Sequence, residues 1–324
     1  MEEERRGGGG GELVLVGRKG CFGLPTACPS SLPVYIYLRF AKASFNLHCD
    51  ANNPDSDHVP YVEFDDCVIF NNENGGVIEG LKKEGIADLD SSIPTSLLPD
   101  WLSIKAMVCS WLYEAAQYEL WVSSDGSVAH EIYYSGLSWP IGKALQWKQS
   151  RYFKNFFGIT NINGEEKEAE IYRKAGLAYE ALSLKLGEQT FFFDNRPTSL
   201  DAIFLGHVLF VLHALPDTSS LRNNLLRHDN LVRYSENLKA EFLETSSSSS
   251  CAATPSTPRR RASSYRSSKP KPKPKGERTE EEKTFRKRAK YFLATQLVAV
   301  LVFLSLFGGS DGSEMDEDGI DYDD

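Results

Sequence analysis

Cys28 is the candidate nucleophile of this 324-residue chain. It lies in the loop before an expected helix and is followed by Pro29. A thiol at a helix N-terminus gains from the positive end of the helix dipole, which favours the thiolate. Ser31 stands where a resolving cysteine would be, which excludes dithiol redox chemistry. The competing reading of Cys28 is a packed, inert thiol. Two further positions carry structural chemistry. Pro60 follows Val59 ahead of a strand-like run, and X-Pro bonds are essentially the only ones found in cis. A cis proline facing a ligand and an ordinary proline opening an edge strand both fit. Thr198 and Asp201 have capping-box spacing: the Thr198 hydroxyl accepts from the Asp201 N–H, and the Asp201 carboxylate reaches back to the Thr198 N–H.

Other chemistries find little footing. Cys21, Cys28, Cys49, Cys67, Cys109 and Cys251 are scattered and include no C-x-x-C pair, the usage of a reducing compartment. The six histidines show no metal-ligand spacing, and His207 and His213 on an apolar helix read as core or rim residues. No cofactor or metal is expected.

The elements that position these residues follow from periodicity. Leu13 to Val16 is a short apolar run suited to a buried strand, Pro33 to Ala41 reads as helix, and Phe45 to Cys49 as strand. After an Asn/Asp/Pro-rich loop come strands at Tyr61 to Phe64 and Cys67 to Phe70, separated by the turn pair Asp65-Asp66, then a helix from Gly75 to Glu84. A βαβ unit joined to a hairpin and a closing helix is a thioredoxin-like arrangement, assigned to residues 12–90. From Leu97 the period becomes helical: Trp101, Ile104, Val108, Trp111, Ala115, Tyr118 and Val122 alternate at spacings of three and four. Ile171 to Leu186 repeats the pattern and ends at Gly187, a C-cap signal. Further helices are expected after Thr198, over Leu221 to Leu226, and over Leu231 to Leu243. The expected fold is therefore α+β, with an all-helical second domain over residues 91–244.

Charge divides the chain sharply. Residues 259–290 carry 14 Lys/Arg against 4 Asp/Glu, a net of +10, and residues 310–324 carry 8 acids and no base. Set against the whole-chain charge of −9, this leaves −11 for residues 1–258. So acidic a body is repelled by phosphate backbones, so nucleic acid is not an expected partner. Residues 1–11 read as a disordered N-terminus without the features of a transit or signal peptide, and 245–283 as a Ser/Pro/Lys tether that cannot offset the entropy of ordering.

Tyr291 to Phe307 is uncharged and rich in Tyr291, Phe292, Leu293, Leu301, Phe303 and Phe307. At 1.5 Å per residue it reaches roughly 26 Å, near the lower limit for crossing a bilayer; a buried core helix is the other reading. Arg286, Lys287, Arg288 and Lys290 stand immediately before it within the flank 284–309, and the acidic tail 310–324 follows. Basic flanks stay cytosolic, so the pattern is that of a C-terminal tail anchor inserted after translation, with the N-terminal domains facing the cytosol. Short length, moderate hydrophobicity and basic flanks suit the mitochondrial outer membrane.

The combined layout resembles the glutathione transferase superfamily, and within it the plant metaxin family. The likeness is carried by LPTACPSSLPVYIYLRF, VPYVEFDDCVIFNNENGGVIEGLKKEG, RPTSLDAIFLGHVLF and HDNLVRYSENLKAEFLE, and extends over about residues 13–307. It implies a non-enzymatic subunit of the mitochondrial outer membrane import and β-barrel sorting machinery, with precursor proteins, sorting and assembly subunits and the lipid bilayer as partners. In transferases a Tyr, Ser or Cys near the first helix activates the glutathione thiol, and an acidic residue with Ser after the fourth strand grips the γ-glutamyl group. Here Asn71-Asn72-Glu73 occupies that region, a departure that counts against glutathione binding. The alternatives are a membrane-anchored glutathione transferase using Cys28 and a tail-anchored protein of mitochondrial fission.

Overall fold

The computed structural model describes residues 12–50, 57–73, 75–160, 162–193, 195–244 and 295–296. Residues 1–254 form one compact unit, and residues 255–324 a second, in which Thr295 and Gln296 are described and helical. The core of the first unit is drawn wholly from residues 13 to 243, so it has what a unit needs to fold by itself.

Four strands form one sheet in the order β2-β1-β3-β4: β1 (Leu13–Gly17), β2 (Phe45–Cys49), β3 (Tyr61–Phe64) and β4 (Cys67–Phe70). β1 runs parallel to β2 with Leu13 beside Phe45, and antiparallel to β3 with Leu15 beside Val62. β3 and β4 form the expected hairpin, with Asp65 in the left-handed region at its turn. Leu13, Leu15 and Val16 of β1 are all buried, which accounts for its unbroken apolar run: a central strand covered on both faces has no polar side to show.

Helix α1 (Ser31–Phe40) is buried at nine of its ten residues, between the sheet and the helical half. It begins two residues before the expected Pro33, because the first turn tolerates proline. The N–H that Pro33 lacks would have had no intrahelical partner there. Helix α2 (Val77–Lys83) is shorter than expected, since Gly75 and Gly76 take φ of 85° and 96° and cannot belong to a right-handed helix. Gly80 on α2 meets the sheet so closely that a Cβ would stand 2.2 Å from Ile69 Cγ2.

The helical half starts with α3 (Leu98–Met107) and α4 (Tyr113–Tyr118), each followed by a π-helical segment, Val108–Leu112 and Glu119–Ser123. The wider π turn changes which residues face inward: Leu112 is fully buried and Trp111 only half-buried, against the evenly spaced stripe expected from the sequence. Then follow α5 (Ser127–Ala129) with a π segment at His130–Tyr134, α6 (Trp139–Phe156) and α7 (Gly164–Leu186). Helices α8 (Ser199–His213), α9 (Ser220–Leu225) and α10 (Asp229–Leu238) complete the set, with a π segment at Lys239–Glu244. α5 and α6 are not among the helices expected from periodicity.

α8 is the axis of the packing. Twelve of its fifteen residues are buried, and its main neighbour is α1. The two helices approach closely at Gly206, where a Cβ would lie 2.7 Å from Pro33 Cγ.

No helix among the described residues is long and apolar enough to cross a membrane. The expected anchor residues Tyr291, Phe292, Leu293, Leu301, Phe303 and Phe307, and the flank Arg286, Lys287, Arg288 and Lys290, lie outside the described residues, as does Cys251.

Candidate functional site

Cys28 lies just ahead of α1, and its carbonyl accepts from the Ser31 and Leu32 N–H groups at 3.1 and 3.0 Å. The side chain is almost wholly covered at the wall of a cleft: Cys28 is 2% exposed, with Sγ 3.3 Å from the Tyr133 hydroxyl. Burial pushes the Tyr133 phenol well above its ordinary range, and the neighbouring Cys28 adds to the effect. The group hydrogen-bonded to the thiol is thus held protonated and cannot act as its base. Tyr133 is itself covered, with its ring 5.2 Å from that of Trp121 and the Arg18 guanidinium 5.6 Å from its centroid. Trp121 donates to Gln117 Oε1 at 2.9 Å and stacks on Phe153 at an interplanar angle of 8°.

These residues line a cleft of about 320 Å³ at the end of the sheet, which also includes Val59 and Asn71-Asn72. The Val59–Pro60 bond is cis and leads into β3. A second cleft of about 320 Å³ lies among α1, α2, α3 and α8, lined mainly by apolar side chains such as Val34, Ile78 and Phe210. His207 reaches it and pairs with the Tyr179 hydroxyl at 2.7 Å; burial lowers the His207 pKa to about 3, so the ring is neutral. His213, six residues on, is exposed. Among the described residues no group of three His, Cys, Asp or Glu could hold a metal ion, and the described cysteines are free thiols.

Thr198 and Asp201 form the reciprocal capping box at the start of α8. Asp201 does more than cap. Its Oδ2 accepts from the Thr198 N–H at 2.9 Å and hydroxyl at 2.7 Å, and its Oδ1 from the Phe192 N–H at 3.1 Å and the Tyr234 hydroxyl at 2.8 Å. One fully buried carboxylate therefore joins the loop before α8, α8 itself and α10. Burial raises its pKa against the effect of these donors.

Two more carboxylates, not singled out from the sequence, carry similar loads. Asp90, between the sheet and the helices, accepts from the Ser199 N–H at 2.7 Å and hydroxyl at 2.6 Å, adding a second anion at the α8 N-terminus. It also pairs with Lys82, which bonds Glu79, which in turn pairs with Lys105; Lys82 and Lys105 lie over the Trp101 ring at 5.5 and 4.7 Å. Burial pushes the Lys82 ammonium down, but Asp90 and Glu79 outweigh it and hold its pKa above the ordinary value. Glu119, 4% exposed, accepts from the Ser219 hydroxyl, the Leu221 N–H and the Tyr172 hydroxyl at 2.8, 3.0 and 3.0 Å, fastening the start of α9 and α7 to the π segment. A carboxylate inside an apolar stripe, as in Tyr118-Glu119-Leu120-Trp121, is the signal that marks Glu119 in the sequence. Asp90 has no such signal, because its partner is 109 residues away.

Comparison with known proteins decides the family. A model of the glutathione S-transferase N-terminal domain matches residues 29–126, and one of the C-terminal domain matches residues 175–238. The chain is 53% identical over 304 residues to the mitochondrial outer membrane import complex protein METAXIN of Arabidopsis thaliana, across 93% of this chain and 95% of that protein. The chain belongs to the metaxin family. Metaxin-1 of Mus musculus is 27% identical over 225 residues, 66% of this chain and 70% of that protein. Among solved structures, the β-etherase LigF of Sphingobium sp. strain SYK-6 is similar at a TM-score of 0.50 and 16% identity, covering 72% of this chain and 99% of that chain. At that identity the likeness is one of fold: a thioredoxin-type half followed by a helical half.

Proposed function

We propose that this metaxin is a non-enzymatic, cytosol-facing subunit of the mitochondrial outer membrane import and β-barrel sorting machinery. The observation that carries the reading is the 53% identity, over nearly the whole of both chains, to a plant protein named for that import complex. Its folded part divides into a thioredoxin-like domain, residues 12–90, and a helical domain, residues 91–244. The linker 245–283 and a transmembrane tail anchor at Tyr291 to Phe307 join it to the bilayer. The apolar, uncharged composition of that segment and its basic flank support the anchor and its orientation.

A body of net charge −11 suits basic targeting segments of precursor proteins, which would be drawn to its surface and screened by salt. The experiment is to express the full chain in plant cells, isolate mitochondria, extract them with alkaline carbonate and identify the proteins that co-purify after mild solubilisation. Retention in the carbonate pellet together with sorting and assembly subunits is the expected result; release by carbonate would remove the anchor, and absence of those subunits would remove the function.

The transferase alternative rests on Cys28 and is tested separately. Glutathione conjugation by the purified protein is expected to be absent and unchanged in Cys28→Ser, because the thiol is buried against a protonated phenol. Turnover abolished by that substitution would establish the enzyme instead.

A further inference from the structure

Helix α6 departs from the rest of the folded unit in both charge and exposure. Its 18 residues contain Lys143, Lys148, Arg151 and Lys154 and no acid, within a body that is otherwise strongly acidic. Only Gly142 is buried; the helix rests on the π segments Glu119–Ser123 and His130–Tyr134 through Gly142 and Phe153. Five large apolar residues of the helix are exposed: Trp139 72%, Ile141 54%, Trp147 54%, Tyr152 57% and Phe156 70%, with Trp139 and Phe156 flanking the inward side and the other three turned outward. At 3.6 residues per turn, Ile141, Trp147, Lys148, Arg151 and Tyr152 fall within an arc of roughly 140°. The cations are interleaved with the rings, and the Arg151 guanidinium sits 5.7 Å from the Trp147 centroid. Tyr152 and Phe156 touch Phe153, but Trp139, Ile141 and Trp147 remain more than half exposed, an apolar surface that contributes little to the core.

We infer that the outer face of α6 docks on an anionic lipid surface, lying in the plane of the interface. Trp and Tyr partition to the boundary between headgroups and acyl chains, Ile reaches toward the acyl region, and Lys and Arg meet lipid phosphates and carboxylates. A helix of about 27 Å whose outward arc interleaves Ile141, Trp147 and Tyr152 with Lys148 and Arg151, and which carries only positive charge, has the composition of an interfacial helix. Four cations and no acid on α6 are complementary to an anionic lipid surface, whereas pairing with α6 of a second copy would oppose four like charges. The inference builds on the reading that the folded unit works beside a bilayer, but requires no contribution from Tyr291 to Phe307: docking would hold the acidic body at a fixed orientation to the lipid surface.

The test uses residues 1–254, which contain the whole core and lack the tail, in flotation with vesicles of phosphatidylcholine alone and of phosphatidylcholine with phosphatidylserine. Binding to the second and not the first is expected, with a blue shift of tryptophan emission and release at high salt. Each cation at an anionic surface strengthens binding about fivefold, so Lys143→Glu with Arg151→Glu weakens it at least 25-fold. Trp147→Ser with Tyr152→Ser also weakens it and removes the blue shift. These side chains are exposed, so both variants keep the circular dichroism of the parent. Failure of the parent to float, or flotation unchanged in either variant, overturns the inference. So does self-association, or capture of a protein, that depends on these residues without any lipid binding. The tail anchor is judged independently by carbonate extraction of the full chain.

Discussion

Replacing Asp201 by alanine removes one acceptor that serves four donors in a site without solvent. The two hydroxyls, of Thr198 and Tyr234, can rotate to other acceptors, but the N–H groups of Thr198 and Phe192 are fixed by the backbone. A buried donor left unmet costs about 1–3 kcal/mol, so two give about 2–6 kcal/mol. Against that stands the relief of desolvating a carboxylate, the same effect that raises the Asp201 pKa. The net expectation is a loss of about 3–4 kcal/mol, equivalent to a fall in Tm of roughly 6–16 °C for a unit of this size. Asp201→Asn keeps one acceptor but turns an amide toward donors, and is expected to cost about half as much. Because the folded pKa is raised, the contribution of Asp201 is greatest at low pH and declines as pH rises past the unfolded value near 3.9; the loss in Asp201→Ala is therefore no smaller at pH 5 than at pH 7. The assay is urea unfolding of residues 1–254 by tryptophan fluorescence and circular dichroism, with Tyr234→Phe in both backgrounds. Tyr234→Phe should cost about 1 kcal/mol in the parent and almost nothing beside Asp201→Ala. A loss below about 1 kcal/mol in Asp201→Ala, or additive behaviour in the cycle, would refute the four-donor account.

Three other outcomes are expected. His207 is neutral when folded, with a pKa of about 3, and takes up a proton near pH 6.5 when unfolded, so its contribution is lost as pH falls through that window. Unfolding at pH 5 should cost about 2 kcal/mol less from this source than at pH 7, and urea midpoints of His207→Gln should show a correspondingly shallower fall; an equal fall would contradict it. Gly206→Ala should destabilise by about 1–2 kcal/mol despite the better helix propensity of alanine, because the added methyl meets Pro33; a stabilised variant in thermal unfolding would show that α1 can withdraw freely. In maleimide labelling of the native unit followed by mass spectrometry, exposed Cys49 should react early and buried Cys28 only with unfolding, and equal rates would show an open site at α1.

The clearest gap between sequence and structure is α6. Periodicity identifies a helix by one apolar side turned to the core, and in α6 the apolar residues lie all round the helix with only Gly142 buried, so no core stripe marks it. The π segments mislead in a milder way: an extra residue in the turn moves burial from Trp111 to Leu112, which even spacing cannot reveal. Clefts and networks are harder still. The covering of Cys28 by Tyr133 joins residues 105 apart, and the bond from Asp90 to Ser199 joins residues 109 apart. Neither leaves a local trace.

Composition and short-range order alone determined the strands from Phe45 to Phe70, the helical second half, the capping box at Thr198, the charge division and the apolar segment at Tyr291 to Phe307. Each of these depends on residues within a turn, a strand or a single run, where propensity, alternation and net charge act directly. The tertiary structure decided which carboxylates are buried, whether the Cys28 thiol meets solvent, and which side of α6 is turned outward. Those outcomes depend on which distant surfaces meet, because desolvation and hydrogen-bond satisfaction are set by neighbours in space and not by neighbours in the chain.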